Sequence, residues 1–179
     1  MIIPLAYYGD PILRKKGARI EKMTDDLAQL VNDMIETMRA HNGIGLAAPQ
    51  VHRSLALFIT EVPRIVSDDT EDPEWEPGEL KIYINPKIIT HSPDVWLRDE
   101  GCLSIPGIIG TVQRPVDITI EATNLEGVQF QEQLSWLEAR AFMHENDHIN
   151  GVLYIDRLHP KDRSKLEHDL QAIKKKSKK

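Results

Sequence analysis

Residues 144–148 read His144-Glu145-Asn146-Asp147-His148, an H-E-x-x-H sequence. No other stretch constrains the fold as strongly. On a helix, two histidines four apart lie on one face and can hold a single metal ion. Glu145 is turned about 100° from His144, at 3.6 residues per turn, so it stands beside the ion rather than on it. A tetrahedral site that keeps one position for water needs a third protein ligand. The fold must therefore carry a distant residue to this helix. Cys102, the only cysteine, lies in Glu100-Gly101-Cys102-Leu103-Ser104 and is the obvious candidate. Taken singly, a histidine is usually a satisfied surface or core residue, and a lone cysteine a small buried hydrophobe. Three coupled residues at fixed spacing outweigh those readings.

The local signals place the motif on a helix of about Trp136–Asn150. Ser135-x-x-Glu138 reads as a capping box, and Gly151 as a stop just past the second histidine. Leu27, Leu30, Val31, Met34, Ile35 and Met38 follow helical spacing after Thr24, a capping residue. Leu55–Thr60 and Lys81–Ile84 read as short strands. Val116, Ile118, Ile120 and Ala122 alternate with polar residues, as a half-buried strand does, and Asn124–Gly127 turns the chain into a second strand through Val128, Phe130 and Leu134. Pro160 opens a last helix carrying Leu166, Leu170 and Ile173. This order predicts an α+β fold: antiparallel strands packed around a central metal-binding helix, with an N-terminal and a C-terminal helix. One catalytic domain covers residues 1–179.

Composition excludes several classes. The net charge of −6 gives no basic surplus for nucleic-acid binding. No apolar run is long enough to span a membrane, and Met1–Leu5 lacks the pattern of a signal peptide. One cysteine allows no internal disulfide, which suits a reducing compartment. Residues 68–79 carry seven acids with Pro73 and Pro77, and read as a surface loop. The basic tail 174–179 reads as a solvated terminus, with a weak contact to RNA or another anionic surface as the sharper alternative.

Gly43-Ile44-Gly45-Leu46-Ala47-Ala48-Pro49-Gln50 is the other unusual stretch. Two glycines two apart let backbone approach a ligand closely. No Lys-Ser/Thr follows, so it is not a phosphate loop.

Gly43–Gln50, Glu100–Ser104 and His144–His148, in that order, resemble the three signature motifs of peptide deformylases. The resemblance extends over nearly the whole chain, from Asp10-Pro11-Ile12-Leu13-Arg14 to Gly151-Val152-Leu153-Tyr154-Ile155-Asp156. It implies removal of the N-formyl group from the initiator methionine of nascent polypeptides, releasing formate. Cys102, His144 and His148 match the family's metal ligands, and Glu145 its catalytic carboxylate. Gln50 and the Leu103 N–H match the groups that bind the formyl oxygen. Ile44 and Gly45 resemble the edge that pairs with an extended peptide. Gly101, Leu137 and Ala141 complete the expected substrate contacts. The resemblance implies one divalent ion per chain, Fe(II) first, with zinc or nickel able to substitute. A monomer with no membrane partner is expected, in a bacterial-type cytoplasm or an organelle, with a weak ribosome contact through the basic tail. Arg114 is expected to pair with Glu100. Met143, Ile149, His52 and Ile109 depart from the family's common residues, and none belongs to the ligand set.

Two rival classes remain at this point. A metzincin-type peptidase would need a third histidine where Tyr154 stands. A structural zinc module would need a fourth ligand, for which His159 is the available residue.

Overall fold

The alternation read in residues 116–122 is realised as a strand whose burial switches residue by residue, with Ile118, Ile120 and Ala122 inside. A computed structural model of the chain describes residues 1–65 and 75–177. Its main sheet has five antiparallel strands in the order β1-β2-β5-β8-β9: β1 (Gly45–Ala47), β2 (Leu57–Glu61), β5 (Leu80–His91), β8 (Asp117–Thr123) and β9 (Gln129–Ser135). A separate hairpin joins β6 (Val95–Cys102) to β7 (Ile105–Pro115), and two short strands, β3 (Arg64–Ile65) and β4 (Trp75–Glu76), pair with each other. Among the described residues three α-helices accompany them: α1 (Asp25–Ala40), α2 (Trp136–Ile149) and α3 (Pro160–Lys176). The α+β expectation with a helix near each end therefore holds.

The sheet is covered on both faces, which is why β2 reads Leu57-Phe58-Ile59 without a polar partner. Leu57 and Ile59 join Val31, Met34 and Met38 of α1. Phe58 and Tyr83 face α2, where each meets Phe142 edge to face, at centroid distances of 5.0 and 4.9 Å. Such pairs add about 0.5–1.5 kcal/mol each beyond area burial, and they fix α2 against the sheet. A third apolar cluster, with Ile105, Val112, Tyr154, Leu158 and Leu170, packs the hairpin against the chain's last segment.

Helix ends show where local chemistry decides. Thr24 caps α1 by accepting from the Leu27 N–H at 3.2 Å. Ser135 is the N-cap residue of α2, but the expected capping box does not form. Ser135 is still paired with Asp117 in the sheet, and the Trp136 N–H goes to the Val116 carbonyl. Strand register, not the serine hydroxyl, starts this helix, and Trp136 takes a left-handed φ of 52° at the junction. Gly151 stops α2 as expected, at φ +73°. A Cβ there would meet the Arg14 carbonyl oxygen at 2.5 Å. The acidic stretch falls largely outside the described residues, apart from its end in β4 and the approach to β5. Lys174, Lys175 and Lys176, expected in a solvated tail, form the last turn of α3.

Candidate active site

Two elements far apart in the sequence meet at one point. The end of β6 delivers Cys102 to the face of α2 that carries His144 and His148, whose rings meet edge to face at 5.1 Å, one turn apart. The cysteine sulfur and one ring nitrogen from each histidine lie within 4.8 Å of one another. Cys102 Sγ is 3.2 Å from His148 Nε2. His144 Nδ1 is 2.9 Å from Glu100 Oε2, which leaves its Nε2 for the cluster. A histidine held by a carboxylate in this way is the usual outer support of a metal ligand. The electrostatics also call for a cation. Burial pushes the His144 imidazole down, but Cys102, Glu100 and Glu145 beside it outweigh this and raise it well above its ordinary range. Burial lowers His148, favouring the neutral, ligating form. A thiolate and two imidazoles suit a late first-row divalent metal. The residues present therefore fit such an ion.

A cavity of about 550 Å³ opens on this cluster. Ile44, Gly45, Gln50, Gly101, Cys102, Leu103, Leu137, Ala141, His144 and Glu145 all line it. His148 is buried behind them, 1% exposed. The cleft is lined by β1 and by the β6–β7 hairpin, whose outer edges pair with no further strand among the described residues. Tyr7, His41 and Asn42 also line the mouth and were not singled out from sequence. The position of His41 and Asn42 directly before Gly43 was the available signal.

Glu145 is 4% exposed and its Oε2 has no hydrogen-bond partner among the described residues. Burial pushes its carboxyl up to about 7, against the pull of His144. The glycine at 45 is explained by this side chain: a Cβ there would sit 2.5 Å from Glu145 Oε1. Gly43 likewise makes room for Leu103. Gln50 is held at both ends of its amide. Its Oε1 accepts from the Ala47 N–H at 2.8 Å, and its Nε2 lies 3.2 Å from Ser104 Oγ and 3.4 Å from Cys102 Sγ. The amide is thereby oriented with its donor side towards the cluster. Ser104 was missed in the sequence, although a buried glutamine donor beside a ligand implies some such acceptor.

Arg114 pairs with Glu100 as expected, through Nε at 2.6 Å and Nη2 at 2.9 Å. Arg140 adds a third charged bond to Glu100 at 2.7 Å. Burial opposes ionisation of Glu100, yet the Arg114 guanidinium and His144 overcome it and hold the carboxyl well below its usual range. Arg140, Asp147 and Arg157 have no sequence signal of this role: the first two are charged residues on a core helix, and the third ends the short 3-10 turn after it. Replacing Arg114 with methionine would leave Glu100 and Asp147 short of a buried cation. Breaking one side of a buried pair costs about 3–5 kcal/mol. Chemical denaturation of the metal-free variant should show a loss of that size, and a loss below about 1 kcal/mol would contradict the role given to the pair.

The rival readings gain nothing from this geometry. His159 lies outside the Cys/His/His cluster and caps α3, accepting from the Lys161 N–H at 3.3 Å.

Comparison with known proteins bears on the same residues. The polypeptide deformylase family matches residues 2–164. A peptide deformylase of Christiangramia forsetii is 43% identical over 162 residues, 88% of this chain and 82% of the relative. A chloroplastic/mitochondrial peptide deformylase of Arabidopsis thaliana is 39% identical over 176 residues, 97% of this chain and 60% of that longer protein. The crystal structure of peptide deformylase from Thermus thermophilus superimposes with a TM-score of 0.85 at 32% identity, covering 98% of this chain and 99% of the other.

Proposed function

The chain belongs to the peptide deformylase family, and we propose that this enzyme uses Cys102, His144, His148 and Glu145 to hydrolyse the N-formyl group of methionine-initiated nascent peptides. The observation that carries the reading is the cavity itself: three metal-ligating atoms within 4.8 Å of one another, with a buried carboxyl beside them. When bound, the divalent ion supplies the Lewis acidity that makes water a nucleophile near neutral pH. The chain's own groups do the rest. In this reading Gln50 Nε2 and the Leu103 N–H, on the turn after Cys102, donate to the formyl oxygen as negative charge develops there. Glu145 takes the proton from the attacking water and delivers it to the departing amine. The C–N bond breaks, and formate and a free N-terminus leave. The free edge at Ile44 and Gly45 offers main-chain pairing to the peptide, as strand addition does.

Fe(II) is the metal the family resemblance implies, with zinc or nickel as substitutes, and one thiolate with two imidazoles can hold any of these ions. Lys174, Lys175 and Lys176 form a basic helix end suited to a weak ribosome contact. Related proteins occur in bacteria and in plant organelles, and the reading places a monomeric enzyme in either compartment. No helix among the described residues is long and apolar enough to cross a membrane.

Leu137, Ala141 and Ile44 give the cavity an apolar wall for the first side chain. Burying a methionine side chain is worth about 1.5–3 kcal/mol. The kcat/KM for a formyl-methionyl peptide should therefore exceed that for a formyl-glycyl peptide by about ten- to a hundredfold. Formate release measured on both substrates tests the activity and the preference together. No formate from either would refute the function, and equal kcat/KM would refute the pocket.

A further inference from the structure

The carboxylate that orients His144 is itself oriented by a chain of alternating charges. Glu100 Oε2 accepts from two donors, His144 Nδ1 and Arg114 Nη2, each at 2.9 Å. Arg140 binds the other oxygen, Oε1. Arg114 thus shares Oε2 with His144 and, with Arg140 on Oε1, sets the angle at which Glu100 meets the ring. Arg114 has a second acceptor, because its Nη1 donates to Asp147 Oδ2 at 2.9 Å. Asp147 sits on α2 immediately before His148, and its side chain is 9% exposed. It is satisfied mainly by Arg157, which donates through Nε and Nη2 at 2.6 Å each. Arg157 comes from the short 3-10 turn after α2, and its side chain is 44% exposed. It does not line the cavity.

We infer that Arg157 is a positioning residue of the metal site, acting on His144 through Asp147, Arg114 and Glu100. The reason is competition for one guanidinium. Two-pronged, charge-assisted bonds are the strong ones. With Arg157 on Asp147, Arg114 is free to give its own two-pronged bond to Glu100. Without Arg157, a buried carboxylate is left short of charge, a costly condition. Arg114 is then drawn towards Asp147, its grip on Glu100 Oε2 weakens, and the hydrogen bond that aims the His144 ring loosens. The inference rests on Cys102, His144 and His148 holding the ion.

The test uses Co(II), whose d–d bands report ligand geometry and whose charge-transfer band reports the thiolate. Wild-type protein should bind one Co(II) and show both. Failure to do so would overturn the three-ligand reading, and this inference with it. Outer-shell partners commonly carry 10–100-fold in metal affinity. Arg157→Met, being two residues removed from Glu100, should weaken Co(II) about tenfold in chelator competition and shift the d–d bands. Arg157→Lys keeps the charge and loses the fork, and should fall between, at about threefold. Arg14→Met is the control. It breaks an ion pair with Asp156 on the same turn and leaves the relay intact. Unchanged affinity and bands in Arg157→Met would overturn the proposal, as would the same shift in Arg14→Met. Should Arg157→Met not fold, wild-type affinity in Arg157→Lys would overturn it.

Discussion

Replacing His148 with alanine is expected to empty the metal site and abolish formate release together. Only Cys102 and His144 would remain as ligands, and two protein donors do not hold a divalent ion against water and buffer. The effect should exceed that of any outer-shell change, hence a loss of more than about 100-fold in metal affinity. The helix itself should survive. Alanine is the best helix former, and Phe142 still locks α2 to Phe58 and Tyr83. His148 Nδ1 has no partner among the described residues, so its removal orphans no hydrogen bond there. Circular dichroism should therefore show a folded protein, while elemental analysis falls from one metal per chain to near zero. A variant that kept stoichiometric metal would sink the ligand assignment.

That the site could be read at all depends on which residues carry periodic or spaced signals. H-E-x-x-H declares its helix, since the spacing is meaningful only at 3.6 residues per turn. The half-buried strand β8 declares itself by alternation, and its register places Ser135 opposite Asp117. The hairpin that brings Cys102 carries no such pattern. Along β6 the apolar Val95 and Leu97 are exposed, while Glu100 is buried. Alternation is inverted here because burial is secured by ion pairs with Arg114 and Arg140, not by hydrophobic contact. Those partners lie 14 and 40 residues away, a distance over which single-sequence patterns say nothing. The same holds for the contact between Ser104 and Gln50: nothing in the sequence sets that amide against that hydroxyl until the fold does. The failed capping box at Ser135 shows the converse, a correct local signal overruled by sheet pairing.

Changing Glu145 to glutamine should separate catalysis from stability. The amide keeps the shape beside Gly45, so metal content should match wild type. It can no longer take the water's proton, and a positioned acid–base group contributes about 10²–10⁴-fold. Turnover should fall by that factor, and near-normal kcat with metal bound would refute the role. The metal-free protein should respond in the opposite sense. Burial holds the Glu145 carboxyl at about 7, against an ordinary 4.5. Between those values the folded state binds more protons than the unfolded one, so wild-type stability falls as pH rises through the window. The cost is absent below about pH 4.5 and complete above about pH 7, where it reaches about 3 kcal/mol. Glutamine carries no such charge. The stability of Glu145→Gln relative to wild type should therefore climb by about 3 kcal/mol between pH 4.5 and pH 8, measured by denaturant unfolding of the metal-free proteins. Any fixed cost of burying the amide shifts both ends equally and leaves the climb intact. A difference that stayed flat across that range would show that Glu145 is not held as a buried, reluctant carboxylate, and the argument for it as a proton carrier poised near neutral pH would go with it.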